Sequence, residues 1–117
     1  MLHPDMSRDA QEDVSRVTVD DLKISVDGVG GHDFIRWDQL QWVVIEAAME
    51  EEGRSLVWRL QGLGVRRCRI PFGIEGEQQM LAKLQNLPGF DVLAVAEALC
   101  GSDAGRFICW RRDRSAK

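Results

Sequence analysis

The sequence predicts an α+β domain in which an antiparallel sheet, or a partly open barrel, is followed by two short helices and a closing strand. Up to residue 70, apolar and polar side chains alternate in short runs separated by turns rich in Gly and Asp, which indicates a meander of strands. Beyond residue 74, apolar residues recur at helical spacing on both sides of Pro88-Gly89. A length of 117 residues fits one such domain with one core.

Five alternating runs precede the helices. They are residues 16–26, 33–37, 42–45, 55–60 and 65–70. The apolar positions change parity at Asp20-Asp21, which predicts a tight turn or a bulge that splits the first run. Gly-rich turns are predicted at residues 27–31 and 61–64. Residues 46–54 are ambiguous, because EAAMEE favours a helix by propensity although it directly continues a strand.

The first predicted helix has an acidic first turn and one apolar stripe. Pro88 stops it and pushes the preceding Leu87 out of the α region. Glu75 and Glu77 supply the acidic turn, which suits the positive end of the helix dipole. Four residues form the stripe: Met80, Leu81, Leu84 and Leu87.

The second predicted helix begins after the N-cap Asp91 and ends at Gly101. Its predicted apolar stripe consists of Val92, Val95, Ala96 and Leu99. Arg106 to Trp110 is the predicted closing strand.

Composition divides the chain into a lead-in, one domain and a tail. Residues 1–15 are polar and acid-rich without an apolar core, so we expect a disordered lead-in rather than a signal peptide. Residues 16–112 form the domain, and residues 113–117 form a charged tail. The cysteines Cys68, Cys100 and Cys109 lack metal-ligand spacing, which favours reduced thiols and a cytoplasmic location. No apolar run is long enough to span a membrane.

Two stretches carry a family resemblance. FIRWDQLQWVVIE resembles a Trp-containing signature of bacterial pleckstrin-homology-like domains. LAKLQNLPGFDVLAVAEAL, followed by GRFICWRR, resembles the C-terminal part of a group of small bacterial proteins of unassigned function. The resemblance implies a curved or barrel-like antiparallel sheet with helices at its open end. Phosphoinositide binding in such domains implies several Lys or Arg at the first hairpin, but residues 23–32 contain one Lys and one Asp.

The sequence contains no motif for catalysis, a cofactor or a metal. His3 lies in the lead-in and His32 in a Gly-rich turn, and neither has a Ser or Cys partner in a recognisable motif. The adjacent carboxylates of residues 50–52 are typical of a solvated loop. An enzyme would be favoured if Glu46 or Glu50 were buried beside His32.

The residues that remain favour binding of a protein, either a different chain or a second copy of this one. Trp42 would be an anchor if it faced outward, and Arg67 and Arg69 share one face of a strand. The alternative for the arginines is a solvated face paired with residues 50–52. A net charge of −4 disfavours nucleic acid. We therefore expect a non-catalytic interaction module; the alternatives are an immunity-type protein that neutralises a toxin domain and a small-molecule or lipid carrier.

Overall fold

The computed structural model describes residues 14–28, 31–64 and 67–112, which form seven strands and two α-helices. The strands are β1 (Val14–Val19), β2 (Lys23–Gly28), β3 (Gly31–Arg36), β4 (Trp42–Glu50), β5 (Gly53–Gln61), β6 (Arg67–Pro71) and β7 (Gly105–Arg111). The helices are α1 (Glu77–Leu84) and α2 (Val92–Cys100), and a 3₁₀ turn covers Trp37–Gln39. Residues 1–13 of the predicted lead-in and the predicted tail (113–117) lie outside the described residues.

The strands form two antiparallel sheets, and the predicted α+β class is confirmed. The first sheet has the order β1-β2-β3 and the second has the order β6-β5-β4-β7. β7 closes the domain by pairing with β4, far from it in sequence. Ile24 and Ile35 of the first sheet share one core with Ile45 and Trp58 of the second. The described strands form a partly open arrangement rather than a closed barrel.

The parity change at Asp20-Asp21 is a tight turn between β1 and β2, as predicted. The Asp20 carboxylate accepts hydrogen bonds from the backbone N–H groups of Leu22 (2.8 Å) and Lys23 (2.9 Å). These bonds hold the pKa of Asp20 below its ordinary value, because they favour the ionised carboxylate. The next turn joins Gly28 to Gly31, which are directly paired, and its tip lies outside the described residues.

The ambiguous segment after residue 45 is a strand. β4 continues to Glu50, which pairs with Gly53 across a tight turn. Helix propensity differs by only about 0.7 kcal/mol per residue among ordinary residues, so pairing with a neighbouring strand outweighs it here.

α1 is shorter than the sequence predicts at both ends. It begins at Glu77, so Glu75 lies before the helix. The Glu75 carbonyl oxygen accepts a hydrogen bond from the N–H of Val17 (2.9 Å), which joins this segment to β1. Met80 and Leu84 are buried as expected, but Leu87 lies beyond the helix end. The placement of Glu75 in the helix was therefore wrong, because its contact with β1 holds it outside, whereas Leu87 lies outside the helix as the following Pro88 predicts.

The predicted apolar stripe of α2 is largely wrong. The buried residues are Ala94, Val95 and Ala98, whereas Val92 and Leu99 are 52% and 56% exposed and Ala96 is also exposed. VLAVAEALC is apolar on nearly every side, so its periodicity does not identify the packed face. Small side chains at positions 94 and 98 let the helix approach the sheet closely.

Side chains cap both ends of α2. Asp91 is the N-cap, as predicted, and its carboxylate accepts the N–H of Ala94 (3.1 Å). At the other end Arg54 of β5 donates to the Ala98 carbonyl oxygen (2.6 Å), one of the carbonyls that the helix leaves unpaired. The N–H of Gly101 donates to the Glu97 carbonyl (3.0 Å) and ends the helix. In the described part of the chain, no helix has the length and apolarity needed to cross a membrane.

Candidate protein-binding face

The candidate site is the face of the second sheet that points away from the core, here called the outer face. Residues directly opposite one another in antiparallel strands project to the same side. Three such rows cross all four strands in the order β6-β5-β4-β7, and they define the outer face: Arg67–Gln61–Trp42–Arg111, Arg69–Arg59–Val44–Ile108 and Pro71–Val57–Glu46–Arg106. The structure therefore brings all three predicted partner-binding residues, Trp42, Arg67 and Arg69, onto one surface.

An apolar strip runs through the middle of the outer face. Trp42 projects outward and is half-buried, and Val44 follows it two residues along β4. Val44 is only 6% exposed, so neighbouring side chains cover it, whereas Ile108 beside it on β7 is 54% exposed. Trp42 thus has the outward orientation that an anchor for a partner requires.

Arginines surround this strip. Arg67 and Arg69 are both exposed on β6 and share a face, as the alternation predicts. Arg111 of β7 stands directly opposite Trp42, on the side of β4 away from β6. Sequence reasoning missed Arg111, because its relation to Trp42 depends on β7 joining β4, and no local pattern encodes that pairing.

The proposed pairing of Arg69 with the acidic residues after β4 does not fit the register. Arg69 lies in the row of Val44, whereas Glu50 is six residues further along β4, about 20 Å away at strand spacing. The Glu50 carboxylate instead accepts the hydroxyl of Ser55 (3.1 Å).

Glu46 holds two other arginines of the outer face in place. One carboxylate oxygen accepts a hydrogen bond from Nη1 of Arg59 (3.3 Å). The other accepts hydrogen bonds from Nε and Nη2 of Arg106 (3.1 and 3.0 Å). The Glu46 side chain is 28% exposed. Partly exposed ion pairs of this kind contribute little to stability, so their main effect is to fix the positions of the guanidinium groups.

Within the described residues, His32 does not lie beside Glu46 or Glu50, which is the arrangement that would favour an enzyme. His32 lies next to Asp27 of the neighbouring strand (Nδ1 to Oδ1, 2.6 Å), and both side chains are exposed. Glu46 and Glu50 have the partners described above rather than His32. His3 lies outside the described residues, and within them no three His, Cys, Asp or Glu side chains are placed to hold a metal ion.

The surface depressions lined by described residues differ from the enclosed apolar pocket that a carrier requires. Two depressions, of about 260 and 290 Å³, lie open on the surface beside the start of α1. Their linings include polar side chains such as Glu77, Gln79 and Thr18. Between the sheets, the space is filled by core side chains such as Trp58 and Ile45.

The three cysteines are free and differ in their environments. Cys68 and Cys109 are buried, and Cys100 is exposed near the end of α2. Burial raises the pKa of the Cys109 thiol to about 11, and the negative charge of Asp91 adds to the effect. Since the thiolate is the reactive form, Cys109 is protected both by inaccessibility and by protonation.

We therefore expect only Cys100 to react with iodoacetamide in the folded protein at mildly alkaline pH. Intact mass spectrometry should show a single adduct under native conditions, and adducts on all three cysteines after unfolding in guanidinium. The Cys100→Ser variant should remain unmodified while folded. Rapid native labelling of that variant would show that a second thiol is accessible.

Comparison of the chain with protein-family models, with curated proteins and with solved structures gave no match. The pleckstrin-homology-like resemblance therefore stays a prediction.

Proposed function

We propose that this chain is a non-catalytic, cytoplasmic protein-interaction module that binds its partner through the outer face. The observation that carries the proposal is the grouping of Trp42 with five arginines on a sheet surface that neither helix covers. The buried side chains of α1 and α2, such as Met80 and Val95, pack into the core on the other side of the sheet. Trp and Arg are enriched among the residues that dominate binding energy, whereas Lys and Glu are depleted in interfaces.

The immunity-type alternative is a special case of this proposal, in which the partner is a toxin domain. A second copy of the chain is also a protein partner that the same face can accept. The free cysteines are in keeping with a reducing compartment.

The test is an affinity capture from the native cytosol at low salt, with the bound proteins identified by mass spectrometry. Wild type is compared with the single variant Arg67→Glu and with the double variant Trp42→Ala, Arg67→Glu. Lys83→Glu is the matched control, because this substitution also reverses one charge but on a different surface. There the Lys83 ammonium pairs with the Asp21 carboxylate (2.8 Å). Circular dichroism establishes that each variant is folded.

We expect wild type and Lys83→Glu to retain one stoichiometric protein partner that the outer-face variants lose. Loss of a dominant interface residue costs about 2 kcal/mol or more, which is roughly a thirtyfold loss of affinity. Equal retention of the partner by the folded double variant would refute the assignment of the outer face. Recovery of self-copies alone would identify a homodimer.

A further inference from the structure

We infer that the partner presents an acidic, extended polypeptide segment to the outer face, with carboxylates on both sides of an apolar side chain. This inference rests on the proposed function and specifies the chemistry of the partner.

Charge complementarity is the first argument. The three rows of the outer face contain five arginines (Arg59, Arg67, Arg69, Arg106 and Arg111) and one glutamate, Glu46. The whole chain has a net charge of −4, so the positive charge is concentrated here against the overall balance. A surface of this kind attracts negatively charged segments and repels positively charged ones.

The rows also fix the spacing of the partner's side chains. Arg67 and Arg111 stand at opposite ends of the row that contains Trp42, three strand spacings apart, which is about 14 Å. An extended segment rises about 3.3 Å per residue and points every second side chain to one side, so positions i and i+4 span about 13 Å. The matching pattern is therefore acid-x-apolar-x-acid, in which the apolar side chain lies about 7 Å from each acid and beside Trp42.

A polypeptide fits this face better than a nucleic acid does. Binding of nucleic acid depends on neutralising many phosphates, and the negative charge of the rest of the chain opposes a long polyanion. An apolar strip with arginines at both ends suits a segment that alternates carboxylates with an apolar side chain.

The test is an NMR titration of the ¹⁵N-labelled full chain with a synthetic peptide made of Glu-Ser-Leu-Ser-Glu repeats. A Lys-Ser-Leu-Ser-Lys peptide and an oligothymidylate are titrated in parallel. We expect the glutamate peptide to shift the indole N–H signal of Trp42 and the backbone amides of β4, β6 and β7. The variant Arg67→Glu, Arg69→Glu should bind at least about fivefold more weakly, Lys83→Glu should bind like wild type, and added salt should weaken the interaction.

Absence of shifts with the glutamate peptide, shifts confined to other surfaces, or equal binding of the lysine peptide would overturn the inference. Tighter binding of the oligothymidylate at the same residues would assign the face to nucleic acid instead. The titration is separable from the test of the proposed function. A partner that is lost with the outer-face variants in the affinity capture, combined with a negative titration, would retain the protein-binding face and reject the acidic segment.

Discussion

Replacement of Gly76 by alanine should destabilise the protein by about 3 kcal/mol or more, as measured by denaturant unfolding. Gly76 has φ of +91°, and a Cβ atom built there would lie 1.8 Å from the carbonyl oxygen of Val17. The left-handed conformation costs an alanine about 1–2 kcal/mol. The backbone of β1 must also move to make room, and overpacking of this kind costs about 1–3 kcal/mol. The change also disturbs the Val17–Glu75 hydrogen bond that joins β1 to the start of α1.

Gly73→Ala is the matched control for this prediction. Gly73 has nearly the same φ, +92°, but no atom lies within 4 Å of the position of an added Cβ. We expect it to lose only the conformational contribution, about 1–2 kcal/mol. The difference between the two variants therefore measures the close approach of Gly76 to β1. Equal losses would show that β1 can yield without cost.

Features of the fold that depend on a few neighbouring residues could be predicted from the sequence. The change of apolar parity predicted the turn at Asp20, and residue type and position predicted the N-cap Asp91. In the structure each carboxylate accepts N–H groups two or three residues ahead in the chain. The strand alternation likewise placed Arg67 and Arg69 on one face.

Features that depend on long-range packing could not be predicted. The buried side of α2 was missed because the helix is apolar on nearly every side, so that the sheet selects the face. The grouping of Trp42 with Arg67 and Arg111 requires the order β6-β5-β4-β7. That strand order brings together residues from distant parts of the chain, and the local sequence pattern around each residue does not predict the order. Consequently the sequence identified three residues of the outer face but did not show that they share one surface.

Replacement of Trp58 by alanine should destabilise the protein by about 3–5 kcal/mol, the range for a large aromatic residue deleted from a core. Trp58 is 1% exposed, and its ring stacks on Phe72 with centroids 5.1 Å apart. Its indole N–H donates to one carboxylate oxygen of Glu77 (2.8 Å), and the other oxygen accepts the N–H of Gly73 (2.8 Å). Trp58 therefore connects the second sheet to the first residue of α1, and urea unfolding followed by circular dichroism should report the loss.

The same substitution at Trp42 provides the comparison, because Trp42 is half-buried on the outer face and does not belong to the hydrophobic core. Since the loss scales with the apolar area removed from water, we expect Trp42→Ala to cost about 1–2 kcal/mol. Trp58→Phe should fall between the two, because it keeps an aromatic ring against Phe72 but removes the donor to Glu77. A loss at Trp42 as large as that at Trp58 would mean that Trp42 supports the fold. A small loss together with a loss of partner binding would mean that its half-buried ring is retained for the interface.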